Sequence, residues 1–453
     1  MPFSSSQLVP ALAALLLSLA LTPAVRAFAR RRGVVAKPRG DRWSKRPTAM
    51  MGGVAIYLAV LSAYLFFVPH TREGWVVMGA STALFAVGLV DDFLHIKPYQ
   101  KLIGQVLGAS AVVYFGLLLP WGWGASVAMA VTIFWLIGIT NAINLLDNMD
   151  GLAAGISAIA AVFIAASFAD NGQVTAAVML SVFAAALVGF LVYNSNPATI
   201  FMGDCGSMFV GFFLASSALL SASGDRGRSY IVVIAVPVLI LFIPIFDTTL
   251  VTVVRKLSGR AASQGGRDHA SHRLVALGLS ERRAVWMLYA FAGASGFLAM
   301  LVRRFEYHTG IAMVLGFAVV LTLVGVYLAG VKVYDEDEVR AARQKPVVAF
   351  LVDLSYKRRV FEVFLDVALI ILSFYTSYLM LYGPVAEIGA TELFLRTVPV
   401  LVIVKLGALL VVGVYRGLWR YVSLDNLLVY AKAVVLGSVL SVLALLFAFR
   451  FEG

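Results

Sequence analysis

The sequence predicts an all-α polytopic membrane protein, and three observations carry this prediction. Of the 453 residues, 61% are hydrophobic and only 13% are charged. Mostly apolar stretches of about 18 or more residues, long enough to cross a bilayer as helices, recur along the chain. The long polar surfaces of a soluble multidomain protein are missing from the sequence.

We predict 14 spans, which form an 11-span core and a three-span C-terminal tail. In chain order the spans cover roughly 8–25, 52–69, 75–90, 102–119, 125–140, 152–169, 174–193, 208–222, 230–254, 284–302, 309–330, 361–382, 393–414 and 427–448. The positive cluster follows the first apolar run instead of preceding it, so we predict a retained span and not a signal peptide. The third and eighth spans are short, which predicts partial burial in protein or a thinner bilayer.

Lysine and arginine residues predict the orientation. Connections after odd-numbered spans hold 27 of the 36 basic residues, whereas those after even-numbered spans hold 7. Because basic residues favour the cytoplasmic side, the odd-numbered connections are predicted to be cytoplasmic and the N-terminus external. The acidic motifs, which this count did not use, fall on the same side and indicate one shared site.

Charge also predicts the domain organisation. Residues 1–330 form the predicted core, 331–360 a charged cytoplasmic linker and 361–453 the tail. The net charge of +12 is explained by topology and by anionic lipid head groups, without nucleic acid. Cys205 is the single cysteine, so an intrachain disulfide is excluded, and we expect it to be a small packing residue.

Adjacent carboxylates close the third span, and a lysine opens the fourth. Asp91 and Asp92 can hold or orient a hard cation while Lys101 meets phosphate oxygens, which is typical of a magnesium–phosphate site. The alternative is ordinary solvation of a helix end.

A polar run from Asn141 to Gly151 follows the fifth span. Its key residues, Asn141, Asn144, Asp147 and Asp150, lie three apart, so a helix would place neighbours in the row on one face. Capping of the next helix would explain Asp150 but not the whole row. Because carboxylates near hydrocarbon are costly, the run predicts a functional site.

Further candidates lie before the eighth span, inside the ninth span and in the connection after it. Asp204 lies between glycines that would let the backbone approach a ligand, a capped tight turn being the alternative. His269 and His272 are too few for a closed zinc site, and Arg267 beside them favours phosphate binding over a merely solvated basic loop. Asp247 lies inside the ninth span and is predicted to be functional or paired.

Taken in order, these motifs resemble the polyprenyl-phosphate N-acetylhexosamine-1-phosphate transferases. The resemblance covers about residues 1–330 and rests on Asp91-Asp92 with Lys101, the run from Asn141 to Leu152, Phe201-Met-Gly-Asp204 and Asp268-His269-Ala-Ser-His272-Arg-Leu. It implies transfer of a sugar 1-phosphate from a UDP-HexNAc donor to undecaprenyl phosphate, with release of UMP and a need for Mg²⁺, or Mn²⁺ in its place. The implied enzyme starts cell-envelope polysaccharide synthesis at the cytoplasmic face of the bacterial inner membrane.

The resemblance also implies residue roles. Asp204 is the expected metal ligand, with Asn144 near it. The other expected roles are phosphate contact for Lys101, uracil contact for Asp150, nucleotide-site building for Asp147, diphosphate or sugar binding for Arg267, His269 and His272, and a debated base role for Asp91 with Asp92 beside it.

Physical chemistry argues against a base at Asp91. The second pKa of a phosphate monoester is about 6, so the lipid phosphate is largely dianionic near neutral pH. We therefore expect positioning and charge neutralisation by Mg²⁺ and Lys101 to contribute most.

The histidine motif indicates the branch of the family. Asp-His-x-x-His-Arg-Leu differs from the consecutive histidines of the peptidoglycan translocase and resembles the N-acetylglucosamine-1-phosphate branch. In the tail, residues 356–359 and 414–421 resemble the membrane region of polysaccharide-biosynthesis nucleotide-sugar epimerases and dehydratases, without their catalytic domain. We expect a packing or partner-recruiting role there, three spans with no specific role being the alternative.

Other functions stay open at this point. An ion-coupled membrane transporter would use Asp247 and the loop acids to carry an ion, and broken helices or paired repeats would favour it. We predict neither feature from the sequence. A scaffold for glycan enzymes would fit the tail alone, and a homodimer is kept open.

Overall fold

The structure is a computed structural model that describes residues 5–36, 47–119, 124–224, 230–257, 266, 268–304, 307–329, 331, 366–378, 388–414 and 424–449. Arg267, most of the predicted linker and the two tail motifs, apart from Val414, lie outside these residues. The described part is helical almost throughout, which confirms the predicted fold class.

The chain divides into two compact units, and the first contains the candidate site residues that the structure describes. Its helices, in chain order, are α1 Ser5–Arg31, α2 Gly52–Phe67, α3 Arg72–Leu94, α4 Pro98–Tyr114, α5 Ala125–Leu146, α6 Leu152–Asp170, α7 Val174–Asn194, α8 Gly203–Gly224, α9 Tyr230–Ile240, α10 Phe242–Leu257, α11 Ala270–Ala276 and α12 Glu281–Val302. Strands β1, Val35–Ala36, and β2, Thr48–Ala49, form an antiparallel pair between α1 and α2.

Within the described residues, eight helices are long and apolar enough to cross a membrane, or nine if one bent pair counts as a span. The predicted total of 14 spans therefore stays a prediction. The bent pair is Val233–Ile240 with Phe242–Lys256, which meet at 77°. The prediction that no span is broken is wrong here, because residues 230–254 fold as two helices.

Helix α8 lies at the centre of the first unit. It packs against α2, α3, α5, α6 and α9, and 94% of its most apolar 18-residue stretch is buried. The predicted burial of the eighth span is confirmed, but its predicted shortness is wrong, as is that of the third. Helix α3 begins at Arg72 and is capped by Thr71, whose side chain accepts a hydrogen bond from Gly74 N at 3.1 Å. It continues past its two aspartates to Leu94.

Glycines let two helices approach the start of α8. A Cβ atom on Gly53 in α2 would lie 2.2 Å from Cα of Gly206, and one on Gly88 in α3 would lie 2.4 Å from the carbonyl oxygen of Asp204. Any side chain at either position would separate the helices.

Backbone hydrogen bonds join the segment before α2 to the segment before α8. Phe201 N donates to Ala49 O, and Gly52 N donates back to Phe201 O, both at 2.8 Å. Gly53 N donates to Met202 O, also at 2.8 Å. The first loop of the chain therefore fixes the position where α8 begins.

The second unit contains most of α13, Tyr307–Ala329, with α14, Asp366–Tyr378, α15, Ile388–Val412, and α16, Leu424–Phe449. Its buried cluster of Leu409, Val414 and Ala433 is apolar. The domain boundaries drawn from the sequence stay predictions.

Candidate functional site

Polar side chains from four helices meet at one end of the first unit. We call this group the acidic cluster, and its members are Asp91, Asp92, Lys101, Asn144 and Asp204. Oδ1 of Asp204 accepts hydrogen bonds from Lys101 Nζ at 3.0 Å and from Asn144 Nδ2 at 2.6 Å. The lysine also forms an ion pair with Asp91. Lys101 and Asn144 precede Asp204 by 103 and 60 positions and still converge on its carboxylate.

The two adjacent aspartates have different surroundings. Asp92 accepts from Asp204 N at 2.8 Å through Oδ1 and from Cys205 N at 3.0 Å through Oδ2, so it binds the first turn of α8. These N–H groups lack partners within their own helix, and a carboxylate is favoured there. Asp91 instead faces Lys101. The structure thus assigns Asp92 a part in holding Asp204.

Asn144 and Asn141 lie on α5 and bind different helices. Asn144 Nδ2 donates to Ser207 Oγ at 2.7 Å as well as to Asp204. Asn141 exchanges two amide hydrogen bonds with Gln105 of α4, at 2.9 and 3.1 Å. The residues of the polar run therefore join α4, α5 and α8.

The donors in the acidic cluster fit Mg²⁺ or Mn²⁺. Among the described residues, no three His, Cys, Asp or Glu side chains could hold a metal ion alone. Mg²⁺ does not need such a cage, because it usually keeps several waters and binds one or two carboxylates plus substrate phosphates. The Asp204 side chain is 34% exposed and can take up such an ion. Asn144 uses Nδ2 for its hydrogen bonds, so its carbonyl oxygen is the atom suited to a cation.

The polar run does not continue as one helical face. Helix α5 ends at Leu146, Asp147 is its C-cap, and α6 starts after Gly151, which has a positive φ of 76°. No side chain caps α6 at its N-cap residue. The helical row through Asp150 and its capping alternative are therefore both wrong.

Asp150 binds the loop before α8 instead. Its Oδ2 accepts from Ala198 N at 2.9 Å and from Asn196 Nδ2 at 3.3 Å. Burial raises the pKa of Asp150, and these two hydrogen bonds lower it by less. The carboxyl group is thus held where a charge is costly.

The same loop is bound from α12. Asn196 Nδ2 donates to Glu281 Oε2 at 3.0 Å, and Arg282 donates to Asn196 O through Nε at 3.1 Å and through a terminal nitrogen at 2.7 Å. A cavity of about 430 Å³ opens beside these groups, lined by Asn196, Val275, Leu279, Ser280, Glu281 and Arg282.

A second group, which we call the histidine cluster, comprises Asp247, Arg255, Asp268, His269 and His272. Asp247 Oδ2 lies 2.7 Å from His269 Nδ1, and its Oδ1 accepts from Ala270 N at 2.6 Å. Arg255 Nε donates to Asp268 Oδ2 at 2.9 Å. The prediction that Asp247 is functional or paired is confirmed in its second form, because α10 uses it to hold the histidine loop.

The histidine cluster is buried and connected to the polar run. His269 and His272 are 6% and 5% exposed, with ring centroids 6.1 Å apart. Ser271 Oγ, on the turn between them, donates to Asn148 Oδ1 at 2.8 Å. This hydrogen bond joins the histidine loop to the polar run that follows α5.

Sequence reasoning missed several residues of this region. Gln105 lies within α4, Asn196 in the loop after α7 and Glu281 at the start of α12, and only the three-dimensional structure reveals their partners. Cys205 was predicted correctly as a packing residue, since it is fully buried.

Comparison with known proteins adds a family context. Residues 74–222 match glycosyl transferase family 4, a stretch that contains the whole acidic cluster. The chain is 35% identical over 289 residues to the probable undecaprenyl-phosphate N-acetylglucosaminyl 1-phosphate transferase of Bacillus subtilis, covering 61% of this chain and 79% of that protein.

Two further relatives are similar. The decaprenyl-phosphate N-acetylglucosaminephosphotransferase of Mycolicibacterium smegmatis is 33% identical over 336 residues, 66% of this chain and 82% of the relative. The phospho-N-acetylmuramoyl-pentapeptide-transferase of Lactobacillus gasseri is 31% identical over 240 residues, 47% of this chain and 75% of the relative.

Proposed function

Because this chain belongs to glycosyl transferase family 4, we propose that it transfers N-acetylglucosamine 1-phosphate to a polyprenyl phosphate, the activity named for its Bacillus and Mycolicibacterium relatives. The family predicted from the motifs, the polyprenyl-phosphate N-acetylhexosamine-1-phosphate transferases, is confirmed by these relatives. These two relatives match 61% and 66% of the chain, against 47% for the N-acetylmuramoyl-pentapeptide transferase, which favours N-acetylglucosamine. In its finer parts, the proposal names UDP-GlcNAc as the donor, undecaprenyl phosphate as the acceptor and Mg²⁺ as the cofactor.

One observation carries the proposal: Lys101 and Asn144 bind the same oxygen of Asp204 while Lys101 also binds Asp91. Phosphoryl transfer depends mainly on positioning and on neutralising negative charge. A lysine shared between two carboxylates sits where phosphate oxygens would arrive, and it can exchange one carboxylate for a phosphate.

The proposed reaction breaks one phosphoanhydride bond in the donor and forms one in the lipid product. An oxygen of the acceptor phosphate attacks the phosphorus that carries the sugar, and the bond from that phosphorus to UMP breaks. UMP leaves with the electron pair of that bond, and a polyprenyl diphosphate sugar remains. Lys101 would offset charge on the phosphate oxygens, and Asp92 would keep Asp204 in place through the first turn of α8.

Asp204 and Asn144 are the proposed Mg²⁺ ligands, together with substrate phosphates. The ion, when bound, would neutralise charge on the phosphate oxygens and orient both substrates. Mn²⁺ has similar ligand preferences and is expected to substitute.

The donor would lie towards the second group of residues. We propose that Asp150 and Asp147 bind the uridine and that His269 and His272 bind the diphosphate or sugar. The Asp247 carboxylate occupies the Nδ1 side of His269, so Nε2 would be the ring nitrogen that meets a ligand. Arg267 keeps its predicted role beside them.

The transporter alternative loses its support. It rested on Asp247 and the loop acids as ion carriers, and the bend between α9 and α10 is a broken span of the kind that would favour it. Both oxygens of Asp247 are nevertheless engaged by the histidine loop, and the relatives are named as transferases. A cytoplasmic-facing site in the bacterial inner membrane and a homodimer stay proposals, the first supported by the basic residues of the odd-numbered connections.

The role of Asp91 can be tested through pH. We predict that Asp91→Asn lowers kcat by about 10–100-fold at every pH, because the substitution removes a partner of Lys101 and not a base. The measurement is the rate of UMP release between pH 6 and 9. Recovery of the rate at high pH would support a base and contradict this prediction.

The decisive experiment measures UMP release by the purified full-length protein. Undecaprenyl phosphate and Mg²⁺ are supplied with one UDP-HexNAc donor at a time, and the lipid product is identified by mass. We expect the fastest release with UDP-GlcNAc, loss of activity with EDTA, and recovery with Mg²⁺ or Mn²⁺. Absence of release with every donor would refute the proposal.

A further inference from the structure

Gln105 and Asn141 form a reciprocal amide pair between α4 and α5. Gln105 Nε2 donates to Asn141 Oδ1 at 3.1 Å, and Asn141 Nδ2 donates to Gln105 Oε1 at 2.9 Å. Gln105 is only 1% exposed. Two hydrogen bonds between the same two amides require that they face each other, so the pair resists sliding of one helix along the other.

The pair lies one helical turn deeper than the acidic cluster. On α4, Lys101 precedes Gln105 by four residues, and on α5, Asn144 follows Asn141 by three. Residues at these spacings share a helix face. The same faces that meet through the amide pair therefore present Lys101 and Asn144 to Oδ1 of Asp204.

Helix α4 needs such a contact to place its lysine. It packs mainly against α3 and α5, whereas Asp204 belongs to α8. The outward face of α4 is apolar, with Leu102 47% and Ile103 54% exposed, and offers no polar anchor of its own. The position of Lys101 relative to Asn144 thus depends on the register between α4 and α5.

We propose that Gln105 and Asn141 are positioning residues that fix this register and so hold Lys101 and Asn144 on one oxygen of Asp204. The inference rests on the proposed function, since its readout is transferase activity. Neither residue touches the reacting atoms, and each acts through its neighbour one turn away. A shift of about 1 Å in a catalytic group can cost about 100-fold in rate.

The test shortens one partner and then lengthens the other. Gln105→Asn removes one methylene and separates the amides, and we expect kcat to fall at least tenfold while KM for UDP-GlcNAc stays within threefold. The double variant Q105N/N141Q restores one long and one short amide, and we expect it to recover at least a third of the wild-type kcat. Gln105→Met, which removes both hydrogen bonds at similar volume, should match Q105N.

The control removes a buried hydrogen bond between α6 and α8, far from the site. Ser167 and Ser221 join α6 to the other end of α8 at 2.7 Å. We expect Ser221→Ala, which keeps the hydrogen bond from Arg303 to Ser167, to lower the melting temperature as much as Q105N does and to keep kcat within twofold of wild type.

The outcomes separate this inference from the proposed function. A wild-type protein that is inactive with every donor refutes the function. An active wild type with Q105N or Q105M within twofold of its kcat refutes the positioning role alone. Failure of N141Q to rescue Q105N, an equal loss of kcat in Ser221→Ala, or failure of both Gln105 variants to fold would also overturn it, because the pair would then serve stability only.

Discussion

The acidic cluster and the histidine cluster differ in how their charges are balanced. The acidic cluster has three carboxylates and one ammonium group: Lys101 pairs with Asp91 and Asp204, while Asp92 accepts from backbone N–H groups of α8. In the histidine cluster, Asp247 faces His269 and Asp268 faces Arg255. The first group would gain from an added cation, whereas the second is already paired within the protein.

Exposure separates Asp204 from the other carboxylates, because Asp91 and Asp92 of the acidic cluster are also buried. The Asp204 side chain is 34% exposed, but those of Asp247 and Asp268 are only 3% and 6% exposed. Buried charges persist when they are paired and hydrogen-bonded. This difference supports the proposal that Asp204 binds a cation together with the substrates and that the histidine cluster holds ligand-binding groups in fixed positions.

The largest expected effect tests the charge excess. Asp204→Asn should lower kcat by about 10³-fold, because it removes the carboxylate on which Lys101 and Asn144 converge and the proposed ligand of the cation. Its melting temperature should stay at or above that of the wild type, since repulsion among the carboxylates is relieved. UMP release and thermal unfolding in detergent measure both quantities.

The matched control for this change is Asp170→Asn, an exposed acid at the opposite end of α6. It should leave kcat within twofold of wild type. A comparable loss in both variants would mean that the effect of Asp204 is general, and the contrast between the clusters would fail.

The next effect separates two members of the acidic cluster. Asp92→Asn should lower kcat by about 10²-fold and also lower the melting temperature by about 5 °C, because an amide can accept only one of the two N–H bonds of α8. A loss of kcat without a lower melting temperature would show that Asp92 acts on substrate and does not hold the helix.

Much of this arrangement could be predicted from the sequence. Because carboxylates are costly near hydrocarbon, Asp91, Asp147 and Asp204 could be recognised as candidate site residues. The basic residues predicted that all three lie on one side of the bilayer. Both are local properties of a segment and its flanks. They need no knowledge of which helices pack together.

What the sequence could not provide were the partners. The pattern gave Asp91 and Asp92 the same description, although one pairs with Lys101 and the other binds the start of α8. Spacing of three suggested one helical face through Asp150, but α5 ends at Leu146 and α6 begins only after Gly151. Tertiary contacts between distant segments decide these points.

A smaller effect probes the histidine cluster. Asp247→Asn should raise KM for UDP-GlcNAc by about tenfold with kcat within threefold of wild type, because His269 and Ala270 N lose one of their two acceptors while the acidic cluster is unchanged. Steady-state kinetics at several donor concentrations give the two constants. A large fall in kcat at unchanged KM would place Asp247 with the acidic cluster and remove the distinction.

The smallest effect concerns Asp150, near Asn148, which bonds to Ser271 in the histidine loop. Burial raises its pKa in the folded protein, so the folded state binds a proton more strongly than the unfolded state. Stability must then fall as pH rises from the ordinary pKa of about 3.9 through the raised value. Asp150→Asn cannot titrate and lacks this loss. We expect the melting temperature of the wild type, relative to this variant, to decrease by about 2 °C between pH 4 and 7, and an increase over that interval would contradict the assignment of burial as the dominant influence on this carboxyl group.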